Sequence, residues 1–242
     1  MAFAGDHLRV LVGGYELTGD SNRVSIKDER KLYESTAFSD AVQNYVNGFR
    51  TVALEHGGYL NSQAAKSHPV LRGVAVSGVL SVLLGNNATP VLGDPVYSLD
   101  VLQAMYGSLS EVGKVVPFNA RFVTKGERGG WGVSLAPVVS ITNTTTGSGH
   151  DNGAASTAGG VVSLHVLQSV VGDTYSIIVE GATNAGFSTG LVTLATFTLN
   201  GTALGSERIA MSGSVPRYTR YKATRTGSTG NTLQIAVSIA RN

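Results

Sequence analysis

Two stretches near the N-terminus alternate between apolar and polar side chains. In Asn22 to Lys31, Val24 and Ile26 are interleaved with Arg23, Ser25 and Lys27. In Arg50 to Tyr59, Val52 and Leu54 are interleaved with Thr51, Ala53 and Glu55. A period of two predicts strands with one face on a core and the other on water. Between them runs Leu32 to Phe49, with Thr36, Phe38, Ser39, Asp40, Tyr45, Asn47, Gly48 and Phe49. Hairpins usually close in roughly two to five residues, so a connection this long is read as an arm that docks on a neighbour.

The same pattern continues along the chain. His7 to Val12 reads as a first strand, stopped by Gly13-Gly14. Ser62 to Gly73 has room for a short helical turn that Pro69 limits. Val74 to Leu84 is a β-branched and aliphatic run, a buried strand, and Asn86, Asn87, Pro90, Gly93, Asp94 and Pro95 form a turn-rich loop. Val96 to Tyr106 fits both periods; its turn-rich flanks favour a strand. Lys114 to Thr124 puts Phe118, Ala120 and Phe122 on one face, with Pro117 marking an edge or a bulge. Trp131 to Pro137 reads as the strand that closes this unit.

Ser140 to Gly160 lacks bulky residues after Ile141 and is rich in Thr, Gly, Ser and Asn. It reads as a flexible linker or a long surface loop. The remainder offers about six short strands at regular spacing, the pattern of a β-sandwich. They are Val161 to Ser169, Tyr175 to Glu180, Leu191 to Leu199, Glu207 to Ser212, Tyr218 to Thr224 and Thr232 to Ala240. Gly172-Asp173 is a hairpin signal between the first two. The expected fold is therefore all-β with little helix. It has a sandwich at 1–139 carrying the arm, a linker at 140–160 and a second sandwich at 161–242. Val133-Ser134-Leu135-Ala136 and Val237-Ser238-Ile239-Ala240 each follow a Gly-rich turn, so the halves are candidate distant copies.

Composition sharpens this. Only 14% of the 242 residues are charged, which suits either Gly-rich β-structure or a subunit that buries surface in an assembly. The net charge of +2 calls for neither nucleic acid nor a membrane as a standing partner. Arg217, Arg220, Lys222 and Arg225 cluster, either as a solvated strand face or as a contact for an acidic neighbour. With no cysteine there is no disulfide or thiolate metal site. Asp6 stands where a signal peptide would be basic, and the apolar run Val79 to Leu84 is too short to span a bilayer, so a cytoplasmic location in the producing cell is expected.

Candidate chemistry is sparse. Gly19-Asp20-Ser21 resembles the nucleophile block of a lipase-like hydrolase family. Here it follows polar Glu16 and Thr18, leads into a strand, and has no histidine beyond His165 to complete a triad. A β-turn is the simpler reading. His7, His56, His68, His150 and His165 show no metal-like spacing, and His165, between Leu164 and Val166, is expected to face solvent or an interface. Gly147, Gly149 and Gly153 sit in polar sequence, and Asp28 and Glu29 point to opposite faces of a strand. No catalytic, cofactor or metal site is expected.

One resemblance runs through these pieces. Leu17-Thr18-Gly19, Asn22, Thr36, Phe38, Asp40, Tyr45, Gly48 and Phe49, in this order and spacing, resemble the tail tube proteins of long-tailed, siphovirus-type bacteriophages. The late strand around Pro117-Phe118 fits the same pattern. Ser163 to Leu167, Asn184 to Ser188 and Arg217 to Arg220 are similar to the second domain of two-domain members. The resemblance implies a structural virion protein without an enzyme's active site, made in the host cytoplasm. Its subunits stack as rings whose inner strands form a closed β-barrel that conducts DNA. The implied partners are further copies of itself, the tape measure, tail terminator and distal tail proteins, and DNA in transit. Two tube-like halves would make a ring of three chains, the arrangement expected here; a single tube-like half would need six. The interface residues carried over are Thr36, Phe38, Asp40, Tyr45, Gly48 and Phe49. The competing readings are a capsid decoration protein or a carbohydrate-binding sandwich, against which a sole tryptophan, Trp131, lies in a strand.

Overall fold

A computed structural model describes residues 7–85, 89–126 and 129–242; Asp6, Asn86 and Asn87 lie outside them. The elements are β1 (Leu8–Val12), β2 (Tyr15–Glu16), β3 (Ser21–Glu34), β4 (Tyr45–Tyr59), α1 (Ser67–Leu71), β5 (Ser77–Leu84), β6 (Pro95–Gly107), β7 (Pro117–Thr124) and β8 (Gly130–Ile141). They continue as β9 (Thr145–Thr146), β10 (His150–Asp151), β11 (Gly160–Gln168), β12 (Thr174–Ala182), β13 (Val192–Thr196), β14 (Gly205–Met211), β15 (Tyr218–Thr226) and β16 (Leu233–Arg241). The chain is all-β, as its alternation predicts. The ambiguous stretch is the strand β6, whose Leu99, Val101 and Gln103 are buried in turn. Pro69 sits in the first turn of α1, where a missing N–H costs nothing.

The architecture forks at β6. One edge of β6 pairs with β5. On the other, Pro95–Ser98 pair with β8, and Val101–Gly107 pair with β7. One branch continues through β7 to β4 and β3; the other runs β8-β16-β11-β14. A second sheet, β10-β15-β12-β13 with β9 also on β15, belongs with the latter branch. Leu164, Val237 and Ile239 of the first sheet and Ile177, Val179 and Tyr221 of the second share one core. A separate core gathers Val10, Leu54, Leu80, Leu99, Phe118 and Phe122, with Leu71 of α1.

Three expectations change. Gly172-Asp173 does not turn a hairpin. β11 bonds β14 and β16, whereas β12 bonds β13 and β15, so the chain changes sheets here. Asp173 serves the crossing: it is buried, accepts from Thr229 N at 3.1 Å and Thr229 Oγ1 at 2.5 Å, and pairs with Arg225 at 2.8 Å. Segment 140–160 is not a free linker. β9 and β10 lie on β15, with Gly147 N donating to Tyr221 O at 3.0 Å and Asn152 N to Arg217 O at 2.9 Å. Two of its glycines are there for contact, since a side chain at Gly147 or Gly149 would run into the ring of Tyr221 or Phe187. Pro117 marks neither edge nor bulge: β7 lies between β4 and β6, and the proline is its first residue.

β8 does not simply close the first unit. It leaves β6 and pairs along β16, with Ala136 opposite Val237 and Ser134 opposite Ser238, so the two similar closing strands are neighbours in one sheet. Leu135, Ala136 and Ile141 join the core of Leu164, Val237 and Ile177.

Candidate self-assembly surface

The arm is a β-hairpin. β3 and β4 stay paired from Ser21 and Gly58 out to Glu34 and Tyr45, with shifts in register near each end. The pairing therefore reaches well beyond the alternating stretches that announce it. Val52 and Leu54 are buried at the root, while Lys27 to Asn47 are exposed. Arg50 and Asp28 form an ion pair across the two strands. Extended backbone carries the arm away from the core because each residue adds about 3.3 Å of length.

Polar side chains hold the tip in shape. Ser35 N donates to Asn44 O at 2.9 Å, and Asn44 N donates to Thr36 Oγ1 at 3.0 Å. Asp40 Oδ2 accepts from Ala37 N at 2.7 Å and Asn44 Nδ2 at 2.9 Å. The Ala37 N–H, then the Asn44 amide, hold the Asp40 carboxyl below the usual carboxylate range. Thr36 and Asp40 therefore hold the turn in shape. Gly48 is an accommodation: the Tyr33 ring lies where its Cβ would be. The apolar residues face water. Phe38 is fully exposed, Phe49 is 84% exposed and Tyr45 54%, with Leu32, Val42 and Val46 also uncovered. Isolated exposed apolar residues are ordinary, but a run of them on one projection marks a contact surface.

On and beside β15 three arginines are paired within the chain. Arg217 binds Asp151 at 2.6 Å, Arg220 binds Glu180 at 2.5 Å, and Arg225 binds Asp173. The Arg220 guanidinium also lies 4.0 Å from the Phe187 ring centre. The acidic neighbours of this cluster thus include carboxylates of the same chain, and Arg217 holds the Asp151 carboxyl far below its ordinary range.

His165 faces neither solvent nor an interface; it is buried. Its Nδ1 donates to Gly13 O at 2.7 Å, so its Nε2 accepts from Ser81 Oγ at 2.8 Å. Ser81 in turn meets Ser98 Oγ at 2.8 Å, and Ser98 meets Ser238 Oγ at 3.2 Å. This relay joins β11 and β16 to β5 and β6. Burial pushes the imidazole down to about 4.

The structure also brings together two residues that the sequence analysis did not connect. Ser21 Oγ lies 2.6 Å from His56 Nε2, beside Asp20. The serine hydroxyl has one proton, and Leu17 O lies 2.7 Å away to take it. His56 therefore donates through Nε2, and its Nδ1 is a bare acceptor against the core. Burial, only partly offset by Asp20, pushes His56 down to about 4. Asp20 does not orient the ring: its oxygens accept from Asn61 Nδ2 at 2.9 Å and Ser67 N at 2.8 Å. An imidazole that donates to the serine and is shut from water cannot act as its base. The pair fastens the start of β3. Among the described residues, no three His, Cys, Asp or Glu side chains are grouped to hold a metal ion. Trp131 lies in a strand as read, yet its ring is 56% exposed and meets Tyr97 edge-on at 5.1 Å.

No protein-family model and no curated protein matches the chain. Among solved structures it is similar, at 10% identity and a TM-score of 0.42, to a chain in the virion of the native gene transfer agent particle. That match covers 52% of this chain and 96% of the other. A chain of the empty gene transfer agent particle's tail, refined with C6 symmetry, gives 10% identity and 0.41 over the same shares. The SPP1 Dit (gp 19.1) protein, described as a paradigm of the hub adsorption apparatus in phages infecting Gram-positive hosts, gives 9% identity and 0.36. There the match covers 97% of this chain and 99% of the other. All three are distant likenesses.

Proposed function

We propose that this protein is a structural subunit of a bacteriophage tail, self-associating into stacked rings that form the DNA-conducting tail tube. One observation carries the reading: a paired hairpin projects a run of aromatic and aliphatic side chains that no described residue of its own chain buries. The order of Thr36, Phe38, Asp40, Tyr45, Gly48 and Phe49, which resembles tail tube proteins, supports the same reading. Tape measure, terminator and distal tail proteins are the further partners proposed on that resemblance.

The ring is proposed to hold six chains. A three-chain ring asks for two equivalent halves, and the halves differ. The first carries the long arm, whereas β12 and β13, the hairpin-like pair of the second, extend only over Thr174–Ala182 and Val192–Thr196. The lumen is proposed to be neutral or acidic, because Lys and Arg contacts to phosphate would hold DNA rather than let it slide. Pairing of Arg217, Arg220 and Arg225 with carboxylates supports a wall to which β15 adds little free cationic charge beyond Lys222. Negative-stain microscopy of purified protein tests the reading: tubes or holed rings are expected. Monodisperse single particles at every concentration would overturn it, and three-fold rings would overturn the six-chain count. The sugar-binding alternative has exposed Trp131 in its favour; it requires Trp131 fluorescence to respond to oligosaccharide.

A further inference from the structure

The hairpin that carries the arm has a second apolar feature at its root. A groove of about 650 Å³ opens there between Gly57 of β4, Met105 of β6, Leu109 of the following loop, and Pro117 and Phe118 of β7. Met105 and Leu109 are exposed. Arg23 is the one charged side chain on its wall among the described residues. Its floor is bare: a Cβ added at Gly107 would meet no atom within 4 Å.

Tip and groove stand at opposite ends of one strand. Tyr45 and Gly58 are separated by roughly 40 Å at the rise of extended backbone. Continuous pairing of β3 with β4 keeps them apart, so the tip cannot reach the groove of its own chain. The tip, residues 34–45, carries Glu34 and Asp40 and no cation, which complements Arg23, whose exposed guanidinium keeps only a 3.9 Å contact with Glu55. Aromatic side chains bury on the order of 150–250 Å² each, so Phe38 and Tyr45 supply apolar area that a groove of this size can take up. Two different patches offset along one axis make a heterologous contact, which builds an open stack rather than a closed pair.

We propose that the tip of one copy seats in the root groove of a copy in the next ring, with Phe38 against Met105, Leu109 and Phe118. This rests on the self-association proposed above and adds the receiving surface. With the hairpin aligned along the stacking axis, the contact would offset successive copies by roughly 40 Å, the length between tip and root.

The absence of cysteine makes a direct test possible. Ser39→Cys at the tip and Ser108→Cys on the groove wall, which leave Phe38 and Leu109 in place, are made separately, mixed at tube-forming concentration and oxidised. Contact brings the two within disulfide reach, so a cross-linked dimer containing one of each is expected. The double variant should give a ladder on a non-reducing gel. Gly107→Trp, which fills the groove, should cut cross-linking at least about tenfold while leaving thermal unfolding unchanged, since the added ring enters open space. Tubes in micrographs without the mixed dimer would overturn the groove and leave the tail reading standing. An undiminished ladder with Gly107→Trp would also overturn the groove. Monomers at every concentration with no cross-link would overturn both.

Discussion

The arm and the junction between the halves reverse each other's chemistry. In the arm, Phe38, Tyr45 and Phe49 stand in water, while Thr36, Asp40 and Asn44 spend their hydrogen bonds on one another. In the junction, His165, Ser81, Ser98 and Ser238 are buried and pass hydrogen bonds from strand to strand. A satisfied buried polar chain fixes how strands of one molecule sit together. An apolar run on a self-supporting projection has no such internal use. Polarity out of its usual place thus marks two different jobs: locking the subunit and, on the function proposed above, joining it to others.

The largest expected effect on the folded chain comes from acid. His56 and His165 are held neutral, each with its pKa pushed down to about 4 by burial. The unfolded chain takes up those protons near the ordinary histidine value of about 6.5. Stability is therefore complete above that value, declines as pH falls toward 4, and levels off below. The loss is on the order of 3 kcal/mol for each histidine, a large share of a typical domain's stability. Urea unfolding midpoints measured from pH 7.5 to 4 check this; a flat profile would show that neither imidazole is shut from water.

Next in size is the junction itself. His165→Leu should cost about 1–3 kcal/mol, because Gly13 O and Ser81 Oγ lose their partner in a dry site. It should also flatten the part of the acid profile that His165 supplies. Smaller again is Ser21→Ala. It removes the bonds to Leu17 O and His56 and should cost about 1 kcal/mol. Esterase activity in the parent that vanished in this variant would restore the nucleophile reading that the geometry disfavours.

The sequence was most readable where a strand has one wet face. Val24 and Ile26 in β3 and Val52 and Leu54 in β4 announced the arm's root, and the unusual length of Leu32 to Phe49 announced the arm. β11 was legible as a strand but not in its surroundings. Ser163, Leu164, His165 and Val166 are all buried, so both of its faces are covered and alternation carries no inside-outside information. That is why His165 was misplaced. Sheet membership was hidden for a different reason: β11 and β12 are adjacent in the chain but do not pair, β11 taking β14 and β16 and β12 taking β13 and β15. The root groove was equally invisible, since Gly57, Met105, Leu109 and Phe118 meet only through the pairing of β4, β6 and β7.

The arm should have the smallest effect on folding and the greatest on assembly. Phe38→Ala combined with Tyr45→Ala touches no core, so thermal unfolding should stay within about 0.5 kcal/mol of the parent. The same variant should lose the aromatic anchors of the contact between subunits. Sedimentation and negative-stain images of parent and variant at matched concentration decide the matter. Tubes from the parent and folded, unassembled subunits from the variant are the expected result. Normal tubes from the variant would contradict the account, as would a variant that fails because it no longer folds.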